Sequence, residues 1–405
     1  MKVNQGMTGD IGGSRASRQR AWIGPLLLLT TIFFLNFLAR LVFAPLMPEI
    51  EADLSIRHTA AGSLFFLMSG GYFIALVGSG WIAAALNHRR TIILSSAMLG
   101  LALVGTSFGG SLGSLRGALF LLGMAAGLYL PSGIATLTTL IDPKHWGKAI
   151  AIHELAPNFG FVVAPLLAEL ILVWLSWRAV VVMIGCAAML MAVVFARGGR
   201  WGEFAGAAPG AAAFKDVLAA PGFWTMVVLF ALAISSTLGL YTMLPLYLVN
   251  EQGVDRNVAN GLVAASRLSG LFMSLLGGWA ADRFGAARTM TVVLLLTGLA
   301  TVLIGAAEGP WVLGAVFFQP LVAVCFFPAG FAVLSRIGPP QARNIVVSLT
   351  VPLSFMIGGG LVPTLIGFMG DEVSFGLGIA LVGGCIMAGS ALAHRLEAPP
   401  AASLD

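Results

Sequence analysis

Twelve apolar runs of about 20 residues, separated by short polar or Gly/Pro-containing stretches, dominate the sequence. A helix rises 1.5 Å per residue, so a run of roughly 20 residues crosses the roughly 30 Å hydrocarbon core of a bilayer. The chain is 58% hydrophobic and only 10% charged, whereas soluble domains carry about 25% charged residues. The sequence therefore predicts an all-α membrane protein with twelve transmembrane helices. Their predicted limits are 22–47, 58–85, 91–109, 115–140, 149–172, 177–196, 221–249, 257–281, 289–306, 310–335, 344–369 and 374–394.

The 22 Lys and Arg residues are distributed unevenly between the two sides that twelve crossings define. Sixteen fall on the side of the N-terminus, two lie inside apolar runs, and four lie on the other side, at Arg57, Arg116, Arg178 and Arg256. Short cytoplasmic loops of membrane proteins are enriched in Lys and Arg. We therefore expect both termini to be cytoplasmic, in a bacterial inner membrane. The basic residues are scattered singly, so no nucleic-acid partner is expected.

The two halves of the chain repeat at a spacing of about 198 residues. Gly80-Trp81 recurs as Gly278-Trp279, and Pro165 recurs as Pro363. Such an internal duplication places a ligand site between the halves, near the middle of the membrane. The predicted organisation is a cytoplasmic tail at 1–21, a six-helix half at 22–196, a cytoplasmic linker at 197–220, a second six-helix half at 221–394 and a cytoplasmic tail at 395–405.

Two arginines interrupt the apolar runs, Arg40 in the first and Arg267 in the eighth. An arginine at the centre of a membrane helix costs about 2.5–3.5 kcal/mol on insertion scales, and such residues usually face a polar interior and bind something. One buried positive charge per half indicates a site for a small anion. The alternative is a structural arginine whose side chain reaches the membrane interface.

Several other polar side chains in the runs are candidates for the same site. Asn36 lies one helical turn before Arg40, on the same face. His153 and Glu154 are titratable and are candidates for proton coupling. Ordinary packing or interface roles remain open for all of these, and Glu169, near the end of the fifth helix, is expected to be solvated. The remaining candidates for hydrogen bonds to an anion are Tyr129, Asn158, Tyr241 and Gln319.

Motifs of catalysis are missing from the sequence. It has no Walker glycine loop, nucleophile elbow or metal-spaced set of His, Cys and Asp. Cys186, Cys325 and Cys385 lie in apolar runs without a CxxC pair, as small hydrophobic residues do. We expect neither an enzyme nor a cofactor or metal.

The loop after the eighth run reads Gly278-Trp-Ala-Ala-Asp-Arg-Phe-Gly285. This stretch matches the loop pattern G-x-x-x-D-R-x-G of the major facilitator superfamily, which the chain resembles here. The resemblance implies the major facilitator fold, with two six-helix halves. It also implies that Gly278, Asp282, Arg283 and Gly285 form a conformational latch, in which a carboxylate pairs with an arginine and faces a helix end. The equivalent loop of the first half has Ala84 in place of the acidic residue.

The first helix is similar to that of the organic-anion branch of this superfamily, the anion:cation symporters. The similarity lies in Leu35-Asn-Phe-Leu-Ala-Arg40 and in Met47-Pro-Glu-Ile-Glu-Ala-Asp-Leu54. It implies that Arg40 binds substrate. Ala39 stands where that branch often has an acidic residue, so a proton site is absent there.

Together these observations predict a monomeric secondary active transporter that moves a small organic anion, a carboxylate, by alternating access with proton coupling. One alternative is a proton-coupled drug or metabolite exporter of the same fold, which would favour an acidic residue over arginines in its cavity. A second is a membrane receptor that binds without transporting.

Overall fold

The computed structural model describes residues 22–206, 215, 217–337 and 343–396. The predicted tail 1–21, most of the predicted tail 395–405, and residues 207–214 and 216 of the predicted linker lie outside the described residues. In the described part, twelve helices are long and apolar enough to cross a membrane, which confirms the predicted number. We label them α1 to α12: Ile23–Leu54, His58–Leu86, His88–Ser107, Leu112–Leu140, Pro143–Leu172, Trp177–Gly198, Gly222–Asn250, Arg256–Phe284, Ala286–Ala306, Pro310–Leu334, Val346–Glu372 and Phe375–His394.

The largest difference from the predicted limits is at the end of α1, which was expected to stop at residue 47. The helix continues through Pro48 to Leu54. Its last turns are polar in sequence, but Glu51 is buried and pairs with His58 at 2.9 Å. A partner from the next helix therefore keeps the polar extension helical. Likewise, α5 begins at Pro143 with a short 3-10 turn, six residues before the predicted start.

Close glycine contacts repeat between the halves at the spacing found in the sequence. In α3 and α6, a Cβ on Gly100 would lie 2.5 Å from the carbonyl oxygen of Gly185. In α9 and α12, a Cβ on Gly298 would lie 2.7 Å from the carbonyl oxygen of Gly383. Both residues of the second pair are 198 positions after those of the first. Small residues at such crossings allow helix backbones to approach closely within a membrane.

Two helices of the second half contain a π-helical turn, Ser235–Gly239 in α7 and Ile357–Leu361 in α11. The turns pack against each other, because a Cβ on Gly358 would lie 2.7 Å from the backbone nitrogen of Ser235. π-Helical turns inside α-helices frequently occur at functional sites, since they leave backbone groups free to bind side chains. Here they lie where α7 and α11 meet the first half.

The two ends of the helix bundle differ in how the halves meet. We call the end with the 199–206 segment the linker side, and the end with the turns at 55–57 and 251–255 the distal side. A large apolar cluster contains buried residues of both halves, including Phe65 and Tyr241. The buried residues of a second cluster all come from 217–393, in the second half. Those of a third cluster all come from 26–195, in the first half. Ion pairs between the halves, described below, lie at the distal side, which is therefore closed in this conformation.

Candidate functional site

Arg40 lies in α1 with 8% of its surface exposed. Its Nε donates to the carbonyl oxygen of Asn36 at 3.4 Å, and its Nη2 is buried without a hydrogen-bond partner. The guanidinium lies 4.2 Å from the ring centre of Phe37 and 4.5 Å from that of Tyr72. No described acidic side chain pairs with it. Arg40 is therefore a buried cation with aromatic neighbours and one free donor.

A cavity of about 20 Å³ lies beside Arg40, between the two halves. Tyr72 of α2 and Phe355 of α11 close it, with their ring centres 5.8 Å apart. Apart from the arginine and the hydroxyl-bearing Ser69, Tyr72 and Thr242, the lining is apolar. The space is about that of one water molecule. The other lining residues are Phe37, Leu41, Phe65, Met68, Leu238 and Gly359.

Arg267 lies in α8 with 7% of its surface exposed and is also without an acidic partner among the described residues. Its Nη2 donates to the carbonyl oxygen of Thr237 at 2.9 Å, and its Nε is buried and unpaired. The guanidinium lies 5.0 Å from the ring centre of Phe161 and 5.1 Å from that of Tyr241. Phe161 belongs to α5, so Arg267 also contacts the opposite half.

The π-helical turn of α7 connects the two arginines. Thr237 accepts the hydrogen bond from Arg267, and the next residue, Leu238, lines the cavity beside Arg40. Gln319 of α10 also binds this turn, since its Nε2 donates to the carbonyl oxygen of Ser236 at 2.7 Å. The turn thus lies between both positive charges.

The other predicted ligands of the anion occupy different positions. Tyr241 contacts both halves, because its hydroxyl donates to the carbonyl oxygen of Phe161 at 3.4 Å. Asn36 is buried and donates to the carbonyl oxygen of Ala126 at 3.1 Å, within the first half. Asn158 donates to the carbonyl oxygen of Glu154 at 3.3 Å. Of these three, Tyr241 packs its side chain on Arg267, whereas Asn36 meets Arg40 only through its backbone carbonyl oxygen.

Tyr129, His153 and Glu154 form a connected group in the first half. The Tyr129 hydroxyl donates to the carbonyl oxygen of Leu29 at 2.7 Å and lies 3.1 Å from Nε2 of His153. The other ring nitrogen of His153 lies 3.4 Å from Glu154. His153 is fully buried and stacks on Phe33, whereas 48% of the Glu154 side chain is exposed. Tyr129 is therefore committed to this group and not to an arginine.

Glu154 also lies close enough to Tyr72 for an electrostatic interaction. Tyr72 in turn packs on Arg40. The titratable pair therefore lies within electrostatic range of a residue that lines the cavity, which the spacing of these residues in the sequence did not reveal.

The predicted latch residues lie at the linker-side end of α8. Asp282 and Arg283 are exposed, and Asp282 makes no ion pair with a described residue. Arg283 packs against the rings of Trp279 and Phe284. Gly285 has a φ of +92°, a conformation that favours glycine and lets α8 end and α9 begin at once. The latch role stays a prediction, because Asp282 has no ion-pair partner among the described residues in this conformation.

Ion pairs at the distal side are a feature that the sequence interpretation missed. Arg256, at the start of α8, pairs with Glu49 of α1 and with Glu169 of α5, the latter at 3.0 Å. Asn260 donates to the same carboxylate at 2.6 Å and to the carbonyl oxygen of Pro45 at 3.2 Å. Glu169 is only 17% exposed, so the expectation that it is solvated is wrong.

A second distal contact joins α11 to the start of α2. The Asp371 carboxylate accepts hydrogen bonds from the backbone nitrogens of His58 and Thr59, at 3.0 and 2.8 Å. A carboxylate at a helix N-terminus satisfies free N–H groups and interacts favourably with the helix dipole. Here the cap comes from the other half, so it forms only when the distal side is closed. No cluster of His, Cys, Asp and Glu in the described residues is arranged to hold a metal.

The sequence model described as Major Facilitator Superfamily matches residues 29–273 and 248–404. The chain therefore belongs to the major facilitator superfamily of membrane transporters. It is 23% identical over 321 residues to the probable sulfoacetate transporter SauU of Cupriavidus necator, covering 73% of this chain and 74% of that protein. It is 22% identical to the protein TsgA of Salmonella schwarzengrund, covering 92% and 98%.

A solved structure with the same fold is a bacterial homologue of the human lysosomal transporter Spinster, in an inward-facing and unoccupied conformation. The TM-score is 0.74 at 18% sequence identity, over 96% of this chain and 95% of that one. This likeness confirms the predicted fold of twelve helices in two six-helix halves.

Proposed function

We propose that the protein is a secondary active transporter of a small organic anion, a carboxylate, and that Arg40 and Arg267 bind it. The observation that carries the proposal is the pair of buried guanidinium groups between the halves, each with an unpaired N–H and no described acidic partner. A buried charge without a partner costs several kcal/mol, and an anion removes that cost for both arginines at once. A guanidinium also matches a carboxylate through two parallel hydrogen bonds.

The position of the arginines supports transport by alternating access. Each half contributes one positive charge, so an anion held by both draws the halves together around it. The apolar lining of the cavity beside Arg40 favours a substrate with a small apolar body. SauU, whose name gives an organic anion as substrate, supports the same substrate class.

The group of His153, Glu154 and Tyr129 supports proton coupling. Protonating His153 or Glu154 makes the surroundings of Tyr72 and Arg40 more positive. An anion should therefore bind more tightly when this pair carries an extra proton, and a proton should travel with it. Replacing His153 with Asn and Glu154 with Gln should make the anion affinity vary less with pH than it does in the wild type. At one fixed pH, the affinity of this variant should stay within a few-fold of the wild-type value.

The test is flux into liposomes that contain the purified protein and carry an imposed pH gradient. Labelled monocarboxylates, sulfoacetate and phosphate are compared with ethidium, a permanent cation. We expect the wild-type protein to take up an anion. Arg40→Gln and Arg267→Gln should lose this uptake, whereas the exposed control Arg197→Gln should keep it. Flux of ethidium alone would favour the exporter, and anion binding without flux would favour the receptor.

A further inference from the structure

The π-helical turn of α7 leaves one backbone carbonyl without its usual partner in the helix. A π turn contains one residue more than the α-helical hydrogen-bond ladder can pair. In α7 the N–H of Leu240 donates to the carbonyl oxygen of Ser235, five residues earlier. In a regular α-helix the same N–H would donate to Ser236, four residues earlier. The carbonyl group of Ser236 has therefore lost its helical donor.

A side chain of α10 takes the place of that donor. The Nε2 of Gln319 donates to the carbonyl oxygen of Ser236 at 2.7 Å. Gln319 is only 1% exposed, and its Nε2 also lies 3.4 Å from the hydroxyl of Thr301 in α9. A buried backbone carbonyl that lacks a hydrogen bond is destabilising. Gln319 thus stabilises the π turn against conversion to a regular α-helix.

The same turn holds Arg267 through the next carbonyl group along the chain. Thr237 follows Ser236 directly, and its carbonyl oxygen accepts the hydrogen bond from Nη2 of Arg267 at 2.9 Å. This bond engages one end of the planar guanidinium, while Nε stays buried and unpaired. The position of the Thr237 carbonyl therefore sets the direction in which the free N–H of Arg267 points.

On the side of α11, glycine backbone packs against the turn. Gly358 and Gly359 lie there, and a Cβ on Gly359 would lie 2.7 Å from Cδ2 of Leu238. The glycines leave room for the wider π turn but bring no polar side chain to it. The side chains that bind the carbonyl groups of the turn from other described helices are those of Gln319 and Arg267.

We propose that Gln319 is a positioning residue of the anion site, which holds the π turn of α7 so that the turn orients Arg267 toward the anion. The inference rests on the proposed function, because it takes an anion as the ligand of Arg267. Gln319 does not line the cavity beside Arg40, and its Nε2 is engaged by the turn. This role differs from the direct hydrogen bond to the anion that the sequence suggested.

Two measurements on the purified protein in detergent test this role. Hydrogen exchange of α7 is followed by mass spectrometry without any anion, and the affinities for sulfoacetate and propionate are measured separately. Gln319→Met keeps the length of the side chain and removes the donor, so the backbone of residues 236–245 should exchange at least about fivefold faster. The anion affinity should also fall by at least about fivefold, because Arg267 is no longer oriented.

Ser354→Ala is the matched control. The buried hydroxyl of Ser354 in α11 donates to the carbonyl oxygen of Val227, so it also binds a backbone carbonyl of α7, but in the part before the π turn. Ser354→Ala should leave both the exchange at 236–245 and the anion affinity unchanged. An equal loss of affinity in Ser354→Ala would assign the effect to general destabilisation and overturn the proposal.

A double variant separates positioning from direct contact with the anion. Lysine is a point donor without a plane for the turn to orient, so adding Gln319→Met to Arg267→Lys should lower the affinity by less than about twofold. A loss as large as that in the Arg267 background would mean that Gln319 acts independently of Arg267, and it would overturn the proposal. Unchanged exchange in Gln319→Met, or faster exchange with unchanged affinity, would do the same. If the wild type binds neither anion, the proposed function fails, and the exchange measurement alone decides whether Gln319 holds the turn.

Discussion

At the residue scale, Arg40 and Arg267 were predictable because they violate the composition of the helices that contain them. A single guanidinium in a run of Leu, Phe and Ala is visible without a structure. What the sequence could not show is that the π-helical turn of α7 binds Arg267 and lines the cavity beside Arg40. A one-residue insertion in the hydrogen-bond ladder has no reliable signature, since Ser235–Gly239 contains only residues that ordinary helices tolerate.

The two arginines should depend on each other. Arg40→Lys and Arg267→Lys keep the positive charge but replace a planar fork with a point donor, so each should weaken binding of the transported anion. If both contact one anion, the double variant should deviate from additivity by about 0.5–3 kcal/mol. Anion affinity in detergent is measured for the wild type, both single variants and the double variant. Strictly additive losses, or an unchanged affinity in either single variant, would mean that the arginines do not share a ligand.

At the element scale, the number of helices followed from apolar run length, but their ends did not. The end of α1 was missed because Glu49 and Glu51 read as a polar loop, whereas Arg256 and His58 neutralise them. The two acidic side chains pair with residues that are distant in sequence or across a turn, and a pattern of single residues does not identify such pairs. The same reason accounts for the wrong expectation at Glu169.

The crossing of α2 and α11 should be sensitive to one added methyl group. A Cβ on Gly62 would lie 2.5 Å from the carbonyl oxygen of Pro363, a backbone atom of the opposite half. Gly62→Ala should therefore disfavour the distal-closed conformation by about 1–3 kcal/mol, the usual cost of overpacking. Gly70→Ala in the same helix is the matched control, because nothing lies within 4 Å of its added Cβ.

The measurement is the distance between spin labels at Gly110→Cys and Glu308→Cys, in distal turns of the two halves. Gly62→Ala should increase the fraction of molecules with a long distance, and Gly70→Ala should not. Equal effects of the two substitutions would show that the change in distance does not come from the contact between Gly62 and Pro363.

At the scale of the whole molecule, the orientation in the membrane remains a prediction from charge. Sixteen Lys and Arg residues on the linker side against four on the distal side predict a cytoplasmic linker side. Reporter fusions at both termini and in the 207–214 segment should report the cytoplasm, and impermeant thiol reagents added outside cells should label Gly110→Cys. A periplasmic signal from the 207–214 fusion would reverse the orientation.

The distal side is held closed by a network that spans three helices, and Arg256 lies at its centre. Its guanidinium neutralises Glu49 of α1 and Glu169 of α5, which both face it from the opposite half. Removing the cation does more than remove two attractions, because it leaves two carboxylates close together at a partly buried interface. Arg256→Gln should therefore open the distal side, raising the long-distance fraction of the Gly110→Cys and Glu308→Cys pair about fivefold, the equivalent of about 1 kcal/mol. Adding Glu169→Gln should reverse part of that change, since it removes the repulsion that Arg256→Gln creates. If the double variant opens the distal side further than Arg256→Gln alone, the carboxylates do not repel each other there, and closure depends instead on the Asp371 cap of α2.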